Sequence, residues 1–144
     1  MGTPIQVVFD CADPGALAAF WADALGYEIQ PPPEGFDSWD AALTAWGVPE
    51  ERWNDRSAIT DLDGDGPRVF FQRVPEPKTV KNRVHLDVHA SGGPDTDREV
   101  RRERVAAEVT RLLEAGATVF REVEEMGEHW VVMQDPEGNE FCVQ

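Results

Sequence analysis

Residues 83–90 alternate strictly between apolar and polar side chains. The apolar set is Val84, Leu86 and Val88, and the polar set is His85, Asp87 and His89. A period of two is typical of a strand that turns one face to a core. The pattern therefore predicts a strand whose second face carries two imidazoles and a carboxylate.

Two other segments have apolar positions at helical spacing, each with recognisable start and stop residues. In the first, Asp13 is the expected N-cap, Pro14 the first helical residue and Gly26 the C-terminal cap. Its apolar stripe is Leu17, Phe20, Trp21, Ala24 and Leu25. The second helix is predicted over 97–115, before Gly116. Its stripe is Val105, Val109, Leu112 and Leu113.

The order of predicted elements repeats within the chain. Strands are expected at 4–10, 27–30, 57–62, 68–74, 83–90, 118–122, 129–134 and 140–144. With the two helices they give the order βαβββ twice, in module one (about 4–74) and module two (about 83–144). Residues 75–82 are a proline-bearing linker. We predict an α+β fold in which residues 1–144 form a single domain.

The side-chain alternation in four of these strands predicts two distinct faces. The apolar pairs, expected beneath the helices, are Val7/Phe9, Val69/Phe71, Leu86/Val88 and Phe141/Val143. The opposite faces carry Gln6, Asp10, Phe70, Gln72, His85, Asp87, His89, Cys142 and Gln144. Polar groups on the same face of four strands suggest the concave lining of a curved sheet, a cup.

Residues 34–56 interrupt module one and hold three of the five tryptophans, Trp39, Trp46 and Trp53. A short helix is expected after Asp37 or Ser38. A helix of this length is marginal alone and must rest on other parts of the protein. Two interpretations remain: an insertion packed on its own domain or a partner subunit, or a lid over a ligand site.

Composition narrows the choice of partners. The net charge of −15 and the pI near 4.4 argue against nucleic-acid or anionic-membrane binding. No apolar run approaches the roughly 18 residues of a membrane span, and no signal peptide is recognisable. Cys11 and Cys142 form no disulfide framework. We therefore expect a cytoplasmic protein with a small-molecule ligand.

Three segments carry a family resemblance. They are the opening strand and helix (7–27), residues 71–87 and the closing turn and strand Asp135-Pro136-Glu137-Gly138-Asn139-Glu140-Phe141-Cys142. They resemble the vicinal oxygen chelate superfamily of glyoxalases, bleomycin-resistance proteins and extradiol dioxygenases, in particular its glyoxalase-like subgroup. The resemblance implies two βαβββ modules in an eight-stranded curved sheet around a cup. It also implies a homodimer.

The resemblance also implies where a divalent metal (Zn, Ni, Fe or Mn) would bind. In metal-dependent members the first and last strands of each module supply the ligands, typically His or Gln and then Glu. These positions fall on Gln6, His85 and Cys142, with Gln72 as the fourth if the strand shifts by two residues from Phe70. Neither last-strand position is a glutamate.

Two functions remain open at this point. The first is a glyoxalase-like lyase or isomerase, with or without a metal. In its metal-free form, His85 or His89 beside Asp87 or Asp10 would move a proton next to a carbonyl. The second is a non-catalytic, drug-sequestering protein of the bleomycin-resistance type. Either would use the tryptophans of 34–56 and the polar strand faces, and His129 is a further candidate for the ligand site.

Overall fold

The computed structural model describes residues 2–144, which divide into two compact units. Unit 1 ends at Pro77, and unit 2 spans Lys78–Gln144. Within the described residues, none of the helices has the length and apolar character of a membrane span.

Unit 1 is a four-stranded sheet with one long helix and a helical insertion. Its elements are β1 (Val7–Cys11), α1 (Pro14–Leu25), β2 (Tyr27–Ile29), α2 (Trp39–Ala45), a 3₁₀ helix (Glu50–Asp55), β3 (Arg56–Asp61) and β4 (Val69–Arg73). The sheet order is β1-β4-β3-β2, with β1 and β4 parallel and the other pairs antiparallel.

Unit 2 repeats this arrangement without the insertion. Its elements are β5 (Asp87–Val88), α3 (Arg98–Ala115), β6 (Thr118–Glu125), β7 (Glu128–Gln134) and β8 (Glu140–Val143). The order β5-β8-β7-β6, with β5 and β8 parallel, matches that of unit 1 strand for strand. The predicted α+β fold with two βαβββ modules is confirmed, and each module contains its own four-stranded sheet.

Both long helices begin and end where the sequence indicates. The carboxylate of Asp13 accepts the N–H of Ala16 at the start of α1, and Asp97 accepts from Glu99 and Val100 at the start of α3. Gly26 and Gly116 end the helices with φ of 68° and 117°, a region that costs a residue with a Cβ more.

The core of each unit lies between its helix and one face of its sheet. In unit 1 the ring of Phe9 lies 5.2 Å from that of Trp21 and 5.4 Å from that of Phe71, centroid to centroid. In unit 2 the fully buried side chains are Val105, Leu112, Met133, Phe141 and Val143. Each large apolar side chain buried in this way contributes roughly 1.5–3 kcal/mol.

The predicted strand 83–90 is much shorter in the structure, where only Asp87 and Val88 pair with β8. The parallel register places Asp87 opposite Cys142, so residues before 85 would lie opposite the turn that precedes β8. The side chain of Asn82 substitutes for part of the missing ladder. Its Nδ2 donates to the carbonyl of Glu140 (3.0 Å), and its Oδ1 accepts the N–H of Glu140 (3.3 Å).

Glu140 anchors the start of unit 2. Its side chain is only 8% exposed, and its carboxylate lies 3.4 Å from Nζ of Lys78 and 3.7 Å from Nζ of Lys81. Burial alone would raise the pKa of Glu140, but the N–H of Asn82, its own N–H and the two lysines together lower it. The only two lysines of the chain thus neutralise one buried carboxylate.

Candidate functional site

Unit 1 contains a cavity of about 600 Å³, a volume typical of small-molecule sites. We call it the aromatic cavity. From the insertion it is lined by Trp39, Leu43, Trp46, Val48 and Trp53, and from the sheet by Ala58, Arg68 and Phe70. All three tryptophans of the insertion thus line one cavity.

Hydrogen bonds fix two of these indoles. Nε1–H of Trp39 donates to the carbonyl of Gln30 at 2.7 Å, and Nε1–H of Trp53 donates to the carbonyl of Val48 at 2.9 Å. Trp46 packs edge-on against Trp39 (6.4 Å between centroids) and Phe36 (5.8 Å). Trp46 as a residue is 55% exposed, with no hydrogen bond from its indole among the described residues. Trp46 is therefore the tryptophan with the most surface left for a ligand.

Asn54 attaches the insertion to the start of α1. Its Nδ2 donates to Oδ1 of Asp13 (2.8 Å), and its Oδ1 accepts the N–H of Gly15 (2.8 Å). The hydrogen bond from Asn54, followed by that from the N–H of Ala16, lowers the pKa of Asp13. The same Asp13 carboxylate therefore caps α1 and holds the 3₁₀ helix beside the cavity.

The open face of the unit 1 sheet carries a hydrogen-bonded row beside the cavity. Arg68 donates from Nε to Oε1 of Gln30 (2.7 Å) and from Nη1 to Oε1 of Gln6 (2.8 Å). Its guanidinium also lies 5.2 Å above the ring of Phe70. Farther along, Nε2 of Gln72 donates to Oδ1 of Asp10 at 2.6 Å.

This row bears on the metal ligands expected in unit 1. The amide oxygen of Gln6 is its only good metal-binding atom, and it already accepts from the Arg68 cation. A metal ion bound there would have to displace Arg68, because two cations repel each other at this distance. The Gln72 oxygen carries no such bond within the described chain. Gln6 and Gln72 as metal ligands stay predictions.

Unit 2 brings His85, Asp87 and Cys142 together, a group we call the His85 cluster. The ligand atoms of the three side chains all lie within 4.8 Å of one another. Nε2 of His85 is 3.4 Å from Oδ1 of Asp87, and both side chains are exposed. Nε2 of Gln144 lies 3.4 Å from Oδ2 of Asp87 and 3.4 Å from Nδ1 of His89. The predicted catalytic residues thus form one continuous polar row.

The donor set of this cluster fits a zinc-like ion. Imidazole, carboxylate and thiolate are the usual zinc ligands, and three of them leave a coordination position open. Burial, and after it the charge and hydrogen bond of Asp87, raise the pKa of the Cys142 thiol. The thiol is therefore protonated at neutral pH, and a metal would have to displace that proton to bind sulfur.

Unit 2 also contains a cavity, of about 340 Å³. It is lined by His89 and His129, together with Arg101, Trp130 and Gln144. Nε2 of His129 lies 2.7 Å from Oε1 of Glu122. Its Nδ1 is buried and has no partner among the described residues. His129 thus lies in a cavity of its own unit that includes His89, one of the predicted catalytic residues.

The structure groups the predicted site residues by unit. Trp39, Trp46, Trp53 and Phe70 share the aromatic cavity, while His85, Asp87 and Cys142 share the cluster. Arg68 was not predicted. Arg68 has the same strand parity as Phe70 and Gln72, and this was the sequence signal that could have pointed to it. Its partners Gln6 and Gln30, however, are 62 and 38 residues away in the chain. A single cup that joins both groups stays a prediction.

Comparisons with known proteins agree on the fold. A hypothetical protein, SA1046 from S. aureus, is 17% identical, with a TM-score of 0.60 over 99% of this chain and 96% of that chain. A glyoxalase/bleomycin resistance protein/dioxygenase family enzyme from Burkholderia phytofirmans PsJN is 17% identical, with a TM-score of 0.57 over 96% and 94%. At these identities the likeness concerns the fold alone.

A third similar structure contains a metal. It is a mutant of the fosfomycin resistance protein FosX from Listeria monocytogenes, complexed with Mn(II) and 1S,2S-dihydroxypropylphosphonic acid. It is 10% identical, with a TM-score of 0.63 over 100% of this chain and 90% of that chain. A search of curated protein sequences gave no significant match. Residues 6–144 match the family described as a glyoxalase-like domain, and the chain therefore belongs to that family.

Proposed function

We propose that this protein binds a small organic molecule with a flat, apolar body in the aromatic cavity. The observation that carries the proposal is the convergence of Trp39, Trp46 and Trp53 on one cavity beside Phe70. Trp46, which also lines that cavity, is the most exposed of the three. Aromatic side chains that line a concave site and keep free surface are characteristic of ligand recognition.

The expected affinity follows from the apolar surface that such a ligand would cover. About 200 Å² of apolar surface contributes ~5 kcal/mol, and each good ring–ring contact adds roughly 0.5–1.5 kcal/mol. Immobilising the ligand offsets a large part of this gain. A dissociation constant of roughly 10–100 µM for a simple two-ring probe is therefore reasonable.

The test is a fluorescence titration with N-phenyl-1-naphthylamine, a neutral aromatic probe that brightens in apolar surroundings. We expect saturable binding to the wild-type protein and about 5–20-fold weaker binding to Trp46→Ala, because that variant removes one ring contact and its apolar area. Phe120→Ala is the matched control, since Phe120 is a 57% exposed aromatic of unit 2. Equal affinity in both variants, or no binding to the wild type, contradicts the proposal.

A second candidate function is a lyase or isomerase activity, favoured by the His85 cluster. A metal held by His85, Asp87 and Cys142 would supply a Lewis acid that polarises a substrate oxygen. In the metal-free form, His85 would accept the proton at Nδ1 while Asp87 orients its ring through Nε2. In either form, Nε2 of Gln144 would donate to Nδ1 of His89, so that His89 offers its Nε2–H to a substrate oxygen. Product formation lost in both His85→Ala and His89→Ala would support this candidate.

The proposal places the protein nearer the sequestering, bleomycin-resistance type than the catalytic type. It includes a cytoplasmic location, supported by the low cysteine content of the chain and by the buried thiol of Cys142. It also retains the homodimer, which sedimentation equilibrium would measure directly. The net charge of −15 supports a small molecule rather than nucleic acid as the partner.

A further inference from the structure

The aromatic cavity is lined by more basic than acidic side chains, although the chain as a whole is acidic. Three arginines line it, against two carboxylates, although the net charge of the protein is −15. Nε of Arg52 pairs with Oδ2 of Asp55 at 3.1 Å. The remaining charges are Arg56, Arg68 and Asp40. Within the described residues, none of these three has an oppositely charged partner within 4 Å. The cavity therefore has an excess of positive charge.

Arg68 is the arginine of the cavity best placed to bind an anionic group. Two neutral amide oxygens, of Gln6 and Gln30, accept from its Nη1 and Nε, and Phe70 lies beneath its plane. Its Nη2 donates to no described residue. A guanidinium held rigidly by neutral groups retains its full charge and free N–H donors for another acceptor.

We infer that the ligand of the aromatic cavity is an aromatic monoanion, such as an aryl carboxylate or sulfonate, whose anionic group pairs with Arg68. The flat body would pack among the tryptophans while the acidic oxygens accept from Arg68. Guanidinium matches a planar or tetrahedral oxyanion with paired donors. This inference rests on the proposed function, because it assigns a chemical class to the ligand of the same cavity.

The test compares two probes that share one scaffold. 8-Anilinonaphthalene-1-sulfonate is N-phenyl-1-naphthylamine with an added sulfonate. We expect the sulfonate to bind the wild-type protein at least about 5-fold more tightly than the neutral probe. The overall charge of −15 opposes any anion, so such a preference requires a local cation.

Arg68→Met keeps the approximate length of the side chain and removes its charge. In this variant we expect the preference for the sulfonate to disappear, so that the ratio of the two affinities falls to about 1 whatever the change in the affinity for the neutral probe itself. Arg83→Met is the matched control, because Arg83 is an exposed arginine of unit 2 and its loss changes the net charge equally. It should leave both affinities unchanged.

A further measurement uses only the wild-type protein, so its result does not depend on whether the variant folds. 1-Naphthoate should displace bound N-phenyl-1-naphthylamine at an at least about 5-fold lower concentration than neutral 1-naphthamide. Equal displacement, or a sulfonate preference that survives in Arg68→Met, overturns the monoanion assignment. The proposed function would still stand if Trp46→Ala weakened neutral-probe binding. If neither probe bound the wild type, the proposed function itself would fail.

Discussion

Oε1 of Gln6 lies 2.8 Å from Nη1 of Arg68, and this contact links the two chemical questions about the protein. As a hydrogen-bond acceptor, Gln6 holds a guanidinium beside the aromatic cavity, where an anion would bind. As a metal ligand, the same oxygen would have to release that guanidinium. The two roles exclude each other, and the positive charge of Arg68 favours the first.

Zinc binding should therefore depend on unit 2 and not on Gln6. We expect purified protein to take up about one Zn²⁺ per chain, since the donors of the His85 cluster suit zinc. His85→Ala should abolish this uptake, and Gln6→Ala should leave it unchanged. Isothermal titration in a non-chelating buffer measures both. Uptake that disappears in Gln6→Ala would argue for the ligand set implied by the superfamily.

Asn54→Ala should loosen the insertion. The variant loses the hydrogen bonds to Asp13 and Gly15, so the free energy of unfolding should fall by about 1–2 kcal/mol. The affinity for N-phenyl-1-naphthylamine should fall several-fold, because the 3₁₀ helix beside the cavity is no longer held. Urea unfolding and the probe titration measure the two effects.

Gly15→Ala tests the same contact from the helix side. A Cβ on Gly15 would lie 2.9 Å from Oδ1 of Asn54, so the variant should be destabilised although alanine normally favours a helix by ~1 kcal/mol. A stabilised Gly15→Ala would show that this contact is absent.

Asp13 makes the stability of the fold depend on pH. Its lowered pKa stabilises the fold above the ordinary value of 3.8, and this contribution is lost as pH falls through the folded-state pKa. Asn54→Ala should reduce the part of the free energy of unfolding that is lost in acid, because Asn54 makes the largest contribution to lowering the pKa of Asp13.

Asn82→Ala should destabilise unit 2 by about 1–2 kcal/mol. The variant removes the side-chain hydrogen bonds that replace a β-ladder beside Glu140. Val80→Ala, at a neighbouring position with an exposed side chain, is the control and should change the free energy of unfolding by less than about 0.5 kcal/mol. Denaturant unfolding of both variants provides the comparison, and equal stabilities would show that Asn82 has no anchoring role.

The Cys142 thiol should react slowly until high pH. Burial first, and Asp87 second, raise its pKa above the ordinary 9.0, so the reactive thiolate is scarce at pH 8. Iodoacetamide labelling at a series of pH values, read by mass spectrometry, resolves Cys142 from Cys11. We expect a midpoint above 9.0 that moves down in Asp87→Asn. A midpoint below 9.0 in the wild type would contradict this environment.

The raised pKa of Cys142 also makes the free energy of unfolding depend on pH in the alkaline range. A raised pKa means that the folded state binds the Cys142 proton more tightly than the unfolded state does. This contribution is fully present below pH 9.0 and is lost as pH rises through the folded-state pKa. Cys142→Ala should therefore unfold with less dependence on pH in the alkaline range.

Local sequence signals predicted much of the fold because caps and alternation act over a few residues. Asp13, Gly26 and Gly116 set the helix ends, and the buried Val69, Phe71, Phe141 and Val143 followed the predicted parity. The length of the strand at 83–90 depended instead on a partner. Because β8 begins at Glu140, residues before 85 have no strand to pair with, whatever their alternation.

The candidate sites were predictable only in part. The density of tryptophans in 34–56 identified the insertion as unusual, and the structure then placed all three indoles on one cavity. Arg68 depends on two glutamines far away in the chain, a relationship that alternation within one strand does not reveal. The 3₁₀ helix at Glu50–Asp55 also lacked a recognisable apolar period.

The most direct test of the central claim is an NMR titration that follows the five tryptophan indole N–H signals while 1-naphthol, a neutral water-soluble aromatic, is added. Assignment uses one Trp→Phe variant for each signal. Binding in the aromatic cavity should shift the signals of Trp39, Trp46 and Trp53 along a common saturation curve and leave Trp130 of unit 2 in place. Shifts confined to Trp130, or no shift among the three insertion signals, would contradict the account.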